Sequence, residues 1–556
     1  MVKKFFNIFY KEIKGLHEAA YLLAVFAFLS QLLALIRVRI LASSFGAGHT
    51  LDIYYSAFRI PDFIFVTVGS LVSLSVLVPF ITDKLNKSED DARDFIKNVF
   101  CFFSILIVST SVIVFFLIPY IAPFIFKGLG SYTELIAMSR ILLLSPILLG
   151  LSNFFASITQ VGKRFLVYAL SPLFYNIGII IGIFCFYPIW GIYGLAYGVI
   201  LGALMHLVIQ LPFVAESKLF KILPFGFDFH AIKKVIAISI PRTITLGMTQ
   251  LSILALLGLA SLMKDGSISV FNFAMNLQSV PLSIIGVSYS IAAFPTLAKC
   301  FSCGNKEEFL AHIISGSRHI IFWSIPISVL FIVLRAQIVR TIYGAGEFTW
   351  SSTKLTAAAL AIFAVSVVAQ SLVLLFIRGY YAMGDTKKSL YTSLITGVLS
   401  VGFSVMFVKI YEMSNFFKYF IDNLFRVDDM VGSKILMIAL GFSLAQIINC
   451  VILWMCFEKD FKGFSVPLFH TLFQSFSASV IMGFVSYVSL NIFDHIFNIN
   501  TFIGIFMQGL CAGILGITAS VFVLHALKSP ELEETWNALH NKFWKVKTIV
   551  PDMKEL

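Results

Sequence analysis

Residues 30–82 read SQLLALIRVRILASSFGAGHTLDIYYSAFRIPDFIFVTVGSLVSLSVLVPFIT, and this stretch decides the fold. It is apolar over most of its length, which is typical of a segment that lies in a bilayer. Its charged residues are Arg37, Arg39, Asp52, Arg59 and Asp62. A charged side chain at membrane depth costs roughly 3 kcal/mol on insertion scales, so such residues usually face a bundle interior or a water-filled cavity.

The spacing of these residues predicts a polar face on two consecutive helices. If the second helix begins near Asp52, then Asp52, Ser56 and Arg59 fall at positions i, i+4 and i+7 on one face. Ser30 and Arg37 share a face of the preceding helix in the same way. The turn between the helices, SSFGAG, consists largely of small residues. Both faces are therefore predicted to line a common cavity.

Several charged positions have a second interpretation. Arg39 and Asp62 can lie near helix ends and extend to the membrane interface instead of lining the cavity. The same alternative applies to three arginines further along the chain, Arg140, Arg242 and Arg378. For all five, the sequence leaves both interpretations open.

Composition identifies the chain as a polytopic membrane protein. Of its 556 residues, 59% are hydrophobic and 13% charged, where a soluble protein has about 25% charged residues. The mean hydropathy is +0.92. The net charge of +12 is attributed to Lys and Arg in cytoplasmic loops, so it does not indicate a nucleic-acid partner.

The hydropathy pattern predicts an all-α protein with about fourteen membrane spans. The predicted spans are 19–43, 52–82, 98–122, 135–160, 165–187, 190–214, 235–263, 268–298, 313–334, 354–378, 388–411, 433–457, 466–492 and 500–527. Lys and Arg concentrate in alternate loops, which places both termini in the cytoplasm. The basic N-terminal residues 1–18 are predicted to form an amphipathic cytoplasmic segment.

An internal repeat divides the spans into two lobes. Pro79 and Pro295 each lie near the end of an apolar, Ser- and Gly-rich helix, and Gly162 in TQVGKRF corresponds to Gly384 in YAMGDTK. The offset is near 220 residues, and the repeats begin on the same side of the membrane, as in parallel transporter repeats. The predicted domains are an N-lobe at 19–222, a C-lobe at 223–460, two additional helices at 461–527 and a cytoplasmic tail at 528–556. The lobes are predicted to be pseudo-symmetric, with about six helices each.

The sequence contains no motif for ATP hydrolysis, metalloprotease or serine hydrolase chemistry, so we predict a transporter and not an enzyme. Cys300 and Cys303 form a lone CxxC without a second pair or His at metal-ligand spacing, and all seven cysteines are interpreted as reduced thiols. Two lobes with sparse interior charge indicate a secondary transporter that works by alternating access. The interior charges are mostly Arg, which favours an anionic, phosphate-bearing substrate.

The chain resembles the MurJ (MviN) family of lipid II flippases, within the multidrug/oligosaccharidyl-lipid/polysaccharide exporter superfamily. The matching motifs are RVRILASSFGAGHTLDIYYSAFRIP (37–61), SRILLLSPILLGLSNFFASITQVGKRFLVYALSPLFYNIGIIIG (139–182), YGAGEFT (343–349) and GYYAMGDTKKS (379–389). The resemblance implies a cationic cavity that receives the diphosphate and sugar of an undecaprenyl-linked glycopeptide, and a groove at the last two helices for the lipid tail. Arg37 and Asp52 match residues that the family requires, and Arg59 stands where the family has a basic residue.

The chain also departs from the family pattern. Gln31 and Val38 replace an Arg and an Asp of the family, and Phe65, Val66 and Ser70 replace two Arg and a Glu. Met275 and Asn276 replace an Asp-Arg pair. The residues predicted to bind substrate or gate the cavity are Arg37, Asp52, Arg59, Ser30, Gln31, Ser56 and Asn276, with Arg39 and Arg140 as further candidates.

The leading hypothesis is a monomeric flippase that moves lipid II from the inner to the outer leaflet of the bacterial cytoplasmic membrane. No cofactor is expected, and transport would use the membrane potential or a gradient of Na⁺ or H⁺. The alternatives are transport of another lipid-linked oligosaccharide, a multidrug-type ion-coupled antiporter, and a membrane scaffold that transports nothing.

Overall fold

The structure of the protein is a computed structural model that describes residues 16–71, 74–217, 229–428 and 430–543. Throughout these ranges the regular secondary structure is helical. The N-terminal segment predicted to be amphipathic lies mostly outside the described residues, as does the last part of the tail.

The helices of the first half follow the predicted spans to within a few residues at most ends. They are α1 Leu16–Phe45, α2 His49–Ser70, α3 Leu74–Leu85, α4 Glu89–Ile125, α5 Tyr132–Leu142, α6 Leu144–Val161, α7 Phe165–Ile181, α8 Tyr187–Trp190, α9 Ile192–Val208, α10 Leu211–Glu216 and α11 Phe229–Ser261. A π-helical turn, Gly182–Phe186, joins α7 to α8.

The second half continues in the same pattern. Its helices are α12 Ser267–Pro281, α13 Ser288–Ser302, α14 Lys306–Val333, α15 Arg335–Tyr343, α16 Trp350–Ala382, α17 Thr386–Met413, α18 Asn415–Phe425, α19 Ile435–Asp460, α20 Ser465–Asp494, α21 Phe502–Ala526 and α22 Pro530–Phe543. A second π-helical turn, Leu282–Val287, joins α12 to α13.

Within the described ranges, 13 helical segments are long and apolar enough to cross a membrane. The predicted span 52–82 is built from two helices, α2 and α3, and α2 carries Asp52, Arg59 and Asp62. These charges lower the mean hydropathy of α2, so α2 is not one of the 13 segments. Its 22 residues nevertheless cover about 33 Å at 1.5 Å per residue. The all-α, multi-span fold is confirmed.

Contacts divide the chain into two compact units. The first consists of Met1–Asn276, Ile342–Ala359 and Asp385–Ala445, and the second of Leu277–Thr341, Leu360–Gly384 and Gln446–Leu556. In the first unit, a core of Phe, Ile, Leu and Val side chains forms between α3, α4 and α6, with Phe95, Phe103 and Phe154 among its buried members. The predicted lobe and tail boundaries stay a prediction.

The second unit has a core of its own, formed by α13, α14, α16 and α19 together with the start of α20. Aromatic rings dominate it: Phe309, Phe376, Tyr380 and Phe457 are fully buried. The ring centroids of Tyr380 and Phe457 lie 4.5 Å apart. Aromatic pairs of this kind add about 0.5–1.5 kcal/mol to the burial of their area.

Small residues let α7 and α9 approach each other closely in the first unit. A Cβ atom added to Gly178 would lie 2.3 Å from the Cα of Gly202, and one added to Gly182 would lie 2.4 Å from the Cα of Gly198. Glycine at both ends of each contact is the usual way in which membrane helices bring their backbones together.

Outside the predicted spans, α18 is a short amphipathic helix. Phe416, Tyr419 and Phe420 are exposed on one face. On the other face Asp422 is buried and accepts a hydrogen bond from the hydroxyl of Tyr411 at 2.9 Å.

Candidate functional site

The predicted polar face of the second helix lies on α2, in the first unit. The helix starts at His49, directly after the glycine-containing turn, and continues through the internal Pro61. Asp52 and Ser56 are buried one turn apart on this helix, and Arg59 follows a further turn along. The predicted face is therefore present, and Asp52 and Arg59 each bond to a different part of α12.

Asp52 binds the N-terminus of α12, which lies more than 200 residues further along the chain. Its Oδ2 accepts a hydrogen bond from the backbone N–H of Gly266 at 2.6 Å. Its Oδ1 accepts bonds from the backbone N–H of Ser269 at 2.8 Å and from the Ser269 hydroxyl at 2.6 Å. The first N–H groups of a helix have no partner within the helix and carry partial positive charge, so a carboxylate at this end satisfies both requirements. Asp52 thus caps α12 from a neighbouring helix.

Arg59 contacts α12 one turn deeper. Its guanidinium donates a hydrogen bond to the side-chain oxygen of Asn272, while Asn272 Nδ2 donates to the carbonyl of Ile268 at 2.7 Å. Within the described structure, Arg59 Nε is buried without a hydrogen-bond partner. Since a guanidinium has five N–H donors, this residue retains donors that a ligand can use.

Arg37, on α1, belongs to the same group of residues. Arg37 lies within electrostatic range of Tyr54, Tyr55 and Tyr175. Its Nε is also buried without a hydrogen-bond partner among the described residues. Arg37 and Arg59 are therefore two partly buried cations, each with an Nε donor that no described residue satisfies.

Asp62 lies in the middle of α2 and not at a helix end. Both Arg59 and Arg37 act on it electrostatically, and its side chain is half-buried. Of the two interpretations that the sequence left open for Asp62, the structure supports a place beside the arginines. Arg37, Arg59 and Asp62 together keep a formal positive charge, which is cancelled when Asp52, the carboxylate bound by α12, is also counted.

Three glycine-containing loops close the unit at the end next to Asp52. They are the turn at 45–48, the turn at 264–267 and the YGAGEFT motif at 343–349. Gly46, Gly266 and Gly346 all have positive φ, at 63°, 92° and 54°. An added Cβ would lie 2.2–2.6 Å from a carbonyl oxygen, in another of these loops for Gly46 and Gly266 and in the last turn of α1 for Gly346. One hydrogen bond joins the third loop to that turn of α1, from the N–H of Glu347 to the carbonyl of Ser43 at 2.9 Å.

Aromatic side chains pack beneath these loops. Phe273, Tyr343 and Phe348 are fully buried, and the Phe273 ring centroid lies 4.9 Å from that of Tyr343 and 5.5 Å from that of Phe348. Tyr55, on α2, meets the same Phe273 ring edge-on at 6.0 Å. The closed end therefore consists of close backbone contacts backed by an apolar aromatic layer.

The remaining predicted residues lie at varying distances from this group. Ser56 Oγ is buried one turn from Asp52, with no hydrogen-bond partner in the part of the chain that is described. Asn276 lies one turn beyond Asn272 on α12. Ser30 and Gln31 lie about two turns before Arg37 on α1, and Gln31 is exposed.

Two further candidates lie elsewhere. Arg39 donates to the carbonyl of Ile342 at 3.3 Å, which places it at the closed end. Arg140 donates to the carbonyl of Phe115 at 3.2 Å and stacks over that ring at 4.6 Å. Arg140 is therefore attached to α4, as in the anchor interpretation. Arg378 likewise stacks over Phe294, at 5.5 Å, and the side chain of Arg242 is not among those described.

Gly266, Ser269 and Asn272 belong to the candidate site and were not predicted from the sequence. Ser269 and Gly266 belong to the DGSIS segment that starts α12, and Gly and Ser before an apolar run are an ordinary helix-start signal. Asn272 and Asn276 are four residues apart on an apolar helix, which predicts a shared face. Neither signal indicates that the partner is α2.

Comparison with known proteins identifies the same architecture. The family model described as "Lipid II flippase MurJ" matches residues 41–511. A protein of Borreliella burgdorferi named "Probable lipid II flippase MurJ" is 27% identical over 409 residues, which cover 71% of this chain and 78% of the relative. The "Lipid II flippase MurJ" of Burkholderia cenocepacia is 24% identical over 398 residues, or 70% of this chain and 77% of the relative.

Solved structures agree with this fold. One described as "Lipid II flippase MurJ, inward closed conformation" matches with a TM-score of 0.71 and 22% identity, covering 91% of this chain and 99% of that chain. An inward-facing multidrug resistance transporter of the MATE family matches with a TM-score of 0.64 and 13% identity, covering 79% of this chain and 95% of its own. Both likenesses concern the fold.

Proposed function

Since the chain belongs to the lipid II flippase MurJ family, we propose that it moves lipid II from the inner to the outer leaflet of the bacterial cytoplasmic membrane. The observation that carries the proposal is the family match over residues 41–511, which includes the site on α2. The proposed cargo is the undecaprenyl-diphosphate-linked glycopeptide, and the proposed site is the group of Arg37, Arg59 and Asp62 with its neighbours on α12.

Arg37 and Arg59 are proposed to receive the diphosphate. Both are partly buried and keep an Nε donor free of protein partners within the described structure. A guanidinium matches phosphate oxygens with two parallel N–H bonds, and charge-assisted bonds of this kind are roughly twice as strong as neutral ones. Asn272 orients Arg59 by accepting one of its bonds. An ion-coupled exporter of cationic drugs would instead need carboxylates without such cationic neighbours.

Asp52 is proposed to hold one end of the path closed until the cargo has been bound. Alternating access needs a closure that is stable and yet can be broken. The three hydrogen bonds from α12 to the Asp52 carboxylate, together with the glycine contacts of the loops, provide such a closure. Its opening would separate α2 from the N-terminus of α12. By the predicted orientation, this end faces the outside of the cell.

The membrane potential is proposed as the driving force. The cell interior is negative, so outward movement of an anionic headgroup gains roughly 2.3 kcal/mol per charge for each 100 mV. A diphosphate therefore needs no ATP site and no cofactor to be driven outward. A gradient of Na⁺ or H⁺ is the competing driving force.

Complementation tests the proposal. A bacterium depleted of its own lipid II flippase would be supplied with the wild-type chain, with Arg37→Ala or with Arg140→Ala. We expect rescue by the wild type and by Arg140→Ala, because Arg140 is attached to Phe115 and not to the group on α2. We expect no rescue by Arg37→Ala.

Two controls make the outcome decisive. Membrane fractionation must show equal amounts of the three proteins, and inner-leaflet lipid II must accumulate where rescue fails. Failure of the well-expressed wild type would contradict lipid II as the cargo and favour another lipid-linked oligosaccharide. Rescue by Arg37→Ala would contradict the role of this arginine, and export of a cationic dye would favour the drug antiporter.

A further inference from the structure

A cluster of metal-ligating side chains outside the proposed transport site lies at the turn between α13 and α14, in the second unit. Cys300 lies on the last turn of α13 and is 5% exposed. Glu308 and His312 lie on the first two turns of α14, with side chains 53% and 45% exposed. One ligand atom from each residue can be chosen so that all three lie within 4.8 Å of one another.

The Cys300 thiol bonds to the Glu308 carboxylate, and the His312 imidazole lies near the same carboxylate at a separation that a shared cation would shorten. His312 Nε2 and Glu308 Oε1 are 3.8 Å apart, beyond hydrogen-bond distance. In a tetrahedral zinc site with bonds of about 2.0–2.1 Å, two such ligand atoms lie about 3.3–3.4 Å apart. A shift of roughly half an ångström would therefore bring this pair to the spacing that a zinc ion requires.

The turn holds the ligands in place before any ion binds. Asn305 caps α14 by accepting a hydrogen bond from the N–H of Glu308 at 3.1 Å. Its Nδ2 donates to Glu308 Oε2 at 2.9 Å, which leaves Oε1 directed toward His312. A hydrogen bond that fixes a ligating carboxylate is a common second-shell feature of metal sites. Cys300 is fixed from the other side, because it packs in the same core as Phe309.

The chemistry of the set favours zinc. A thiolate, an imidazole and a carboxylate are the three side-chain types that bind Zn²⁺ in proteins, whereas Mg²⁺ and Ca²⁺ prefer oxygen ligands alone. The predicted orientation places the turn in the cytoplasm, beside Lys299 and Lys306, where thiols stay reduced. A tetrahedral site needs a fourth ligand, which water or the exposed Cys303 could supply.

We propose that Cys300, Glu308 and His312 bind one Zn²⁺ ion, which ties the end of α13 to the start of α14. Binding releases the proton of the Cys300 thiol, since the thiolate is the ligand. The sequence indicates reduced thiols at Cys300 and Cys303, because neither a second CxxC nor a His at metal-ligand spacing accompanies them. The structure instead brings in Glu308 and His312, which are four residues apart on one helix face.

Metal titration of the full-length protein tests the proposal. The chain would be purified in detergent with a non-chelating reductant, stripped of metal and titrated with Co²⁺ and then with Zn²⁺. We expect one Co²⁺ per chain with a thiolate-to-cobalt charge-transfer absorption band, and displacement of the Co²⁺ by one Zn²⁺. Absence of the band, or of stoichiometric Zn²⁺ after desalting, would overturn the proposal.

Matched variants identify the ligands. Cys300→Ser and His312→Gln should each weaken Zn²⁺ binding more than tenfold, and Asn305→Ala, which removes only the bond that orients Glu308, by about tenfold. Cys456→Ser and His470→Gln change the same residue types elsewhere in the second unit and should bind Zn²⁺ as the wild type does. Equal binding by Cys300→Ser, His312→Gln and the wild type would overturn the proposal. All variants are compared only as monodisperse protein, so that a folding defect is not read as loss of metal.

Discussion

Asp52 differs from most buried carboxylates in that its partners are backbone N–H groups and a hydroxyl, not a basic side chain. Its 2% exposure would make a free carboxylate costly, yet three donors at 2.6–2.8 Å surround it. Hydrogen bonds to a charged group contribute about 1.5–3 kcal/mol each. Its negative charge also interacts with the positive end of α12. The hydrogen bonds and the helix dipole of α12 therefore both stabilise the Asp52 carboxylate.

We predict that Asp52→Asn opens the closed end. An amide offers one acceptor oxygen and turns its NH₂ toward the remaining donors, so about 1.5–3 kcal/mol of stabilisation is lost. That loss shifts the equilibrium between closed and open states by roughly tenfold or more. The measurement is labelling of an Ala47→Cys reporter by a membrane-impermeant maleimide in intact cells. Asp83→Asn, which changes an exposed carboxylate on α3, is the control and should leave labelling unchanged.

A second prediction at the residue scale concerns the shape of Arg59. Arg59→Lys keeps the positive charge and removes the planar set of donors that grips Asn272 and, by our proposal, a phosphate. We predict that flipping of lipid II slows by about tenfold, which corresponds to one charge-assisted hydrogen bond. Arg140→Lys should not slow it. An unchanged rate in Arg59→Lys, measured as protection of fluorescent lipid II from an impermeant quencher, would show that charge alone suffices.

At the scale of elements, the three closing loops depend on glycine for two separable reasons. One is backbone conformation, because positive φ costs an L-residue about 1–2 kcal/mol. The other is space, because a Cβ at Gly346 would lie 2.2 Å from the carbonyl oxygen of Ser43. Gly384 has a φ of 76° and nothing within 4 Å of its Cβ position. It therefore isolates the first cost from the second.

We predict that Gly346→Ala abolishes complementation, because its methyl group forces the loops apart. Gly384→Ala should retain complementation and lose only about 1 kcal/mol of stability. The measurements are growth of the depleted strain and thermal unfolding of the purified variants. If Gly346→Ala and Gly384→Ala both abolished complementation, the positive φ alone would explain why glycine is required. The close backbone contact at Gly346 would then be irrelevant.

The tail helix α22 is held by a buried carboxylate as well. Glu531 is 1% exposed and accepts hydrogen bonds from Arg318 Nε at 2.8 Å and from the hydroxyls of Thr471 and Ser529 at 2.7 and 2.8 Å. Burial raises the pKa of Glu531, but these hydrogen bonds outweigh it, and the pKa is lowered. A lowered pKa means that the ionised form stabilises docking above the ordinary pKa, and that this stability is lost as pH falls through the folded pKa.

We therefore predict that α22 stays docked at neutral pH and detaches only below about pH 4.3, the ordinary pKa of Glu. Glu531→Gln should detach it at neutral pH, because Arg318 then loses its charged partner. Hydrogen exchange of residues 530–543 measures docking, and Glu533→Gln, whose side chain is exposed, is the control. Slow exchange in Glu531→Gln would contradict the prediction.

Much at this scale could be predicted from the sequence, for a clear reason. An apolar run of about 20 residues has few alternatives to a membrane helix, so the spans were predicted to within a few residues. The division of 52–82 into α2 and α3 and the π-helical turns could not be predicted, because they change hydrogen-bond register without changing composition.

At the site, charge in an apolar run identified Arg37, Asp52 and Arg59. Their partners Ser269 and Asn272 are more than 200 residues away, and only the packing of α2 on α12 brings them together.

For the whole molecule, the remaining question is the driving force, and the charge of the cargo makes it measurable. Suppose that the protein only equilibrates an anionic headgroup between leaflets. An imposed potential then shifts the distribution of the cargo toward the positive side by roughly 2.3 kcal/mol per charge for each 100 mV, whichever way the protein is inserted. We predict this shift in vesicles that contain the purified chain and fluorescent lipid II, with the potential set by K⁺ and valinomycin. Reversing the sign of the potential should reverse the shift, and vesicles without protein should show none on the same timescale. If the distribution did not change with the potential and instead followed a Na⁺ or H⁺ gradient, a cation would be transported together with the cargo and would neutralise its charge. That cation would need a binding site on the substrate path. Asp62, the carboxylate beside Arg37 and Arg59, would be the first residue to test.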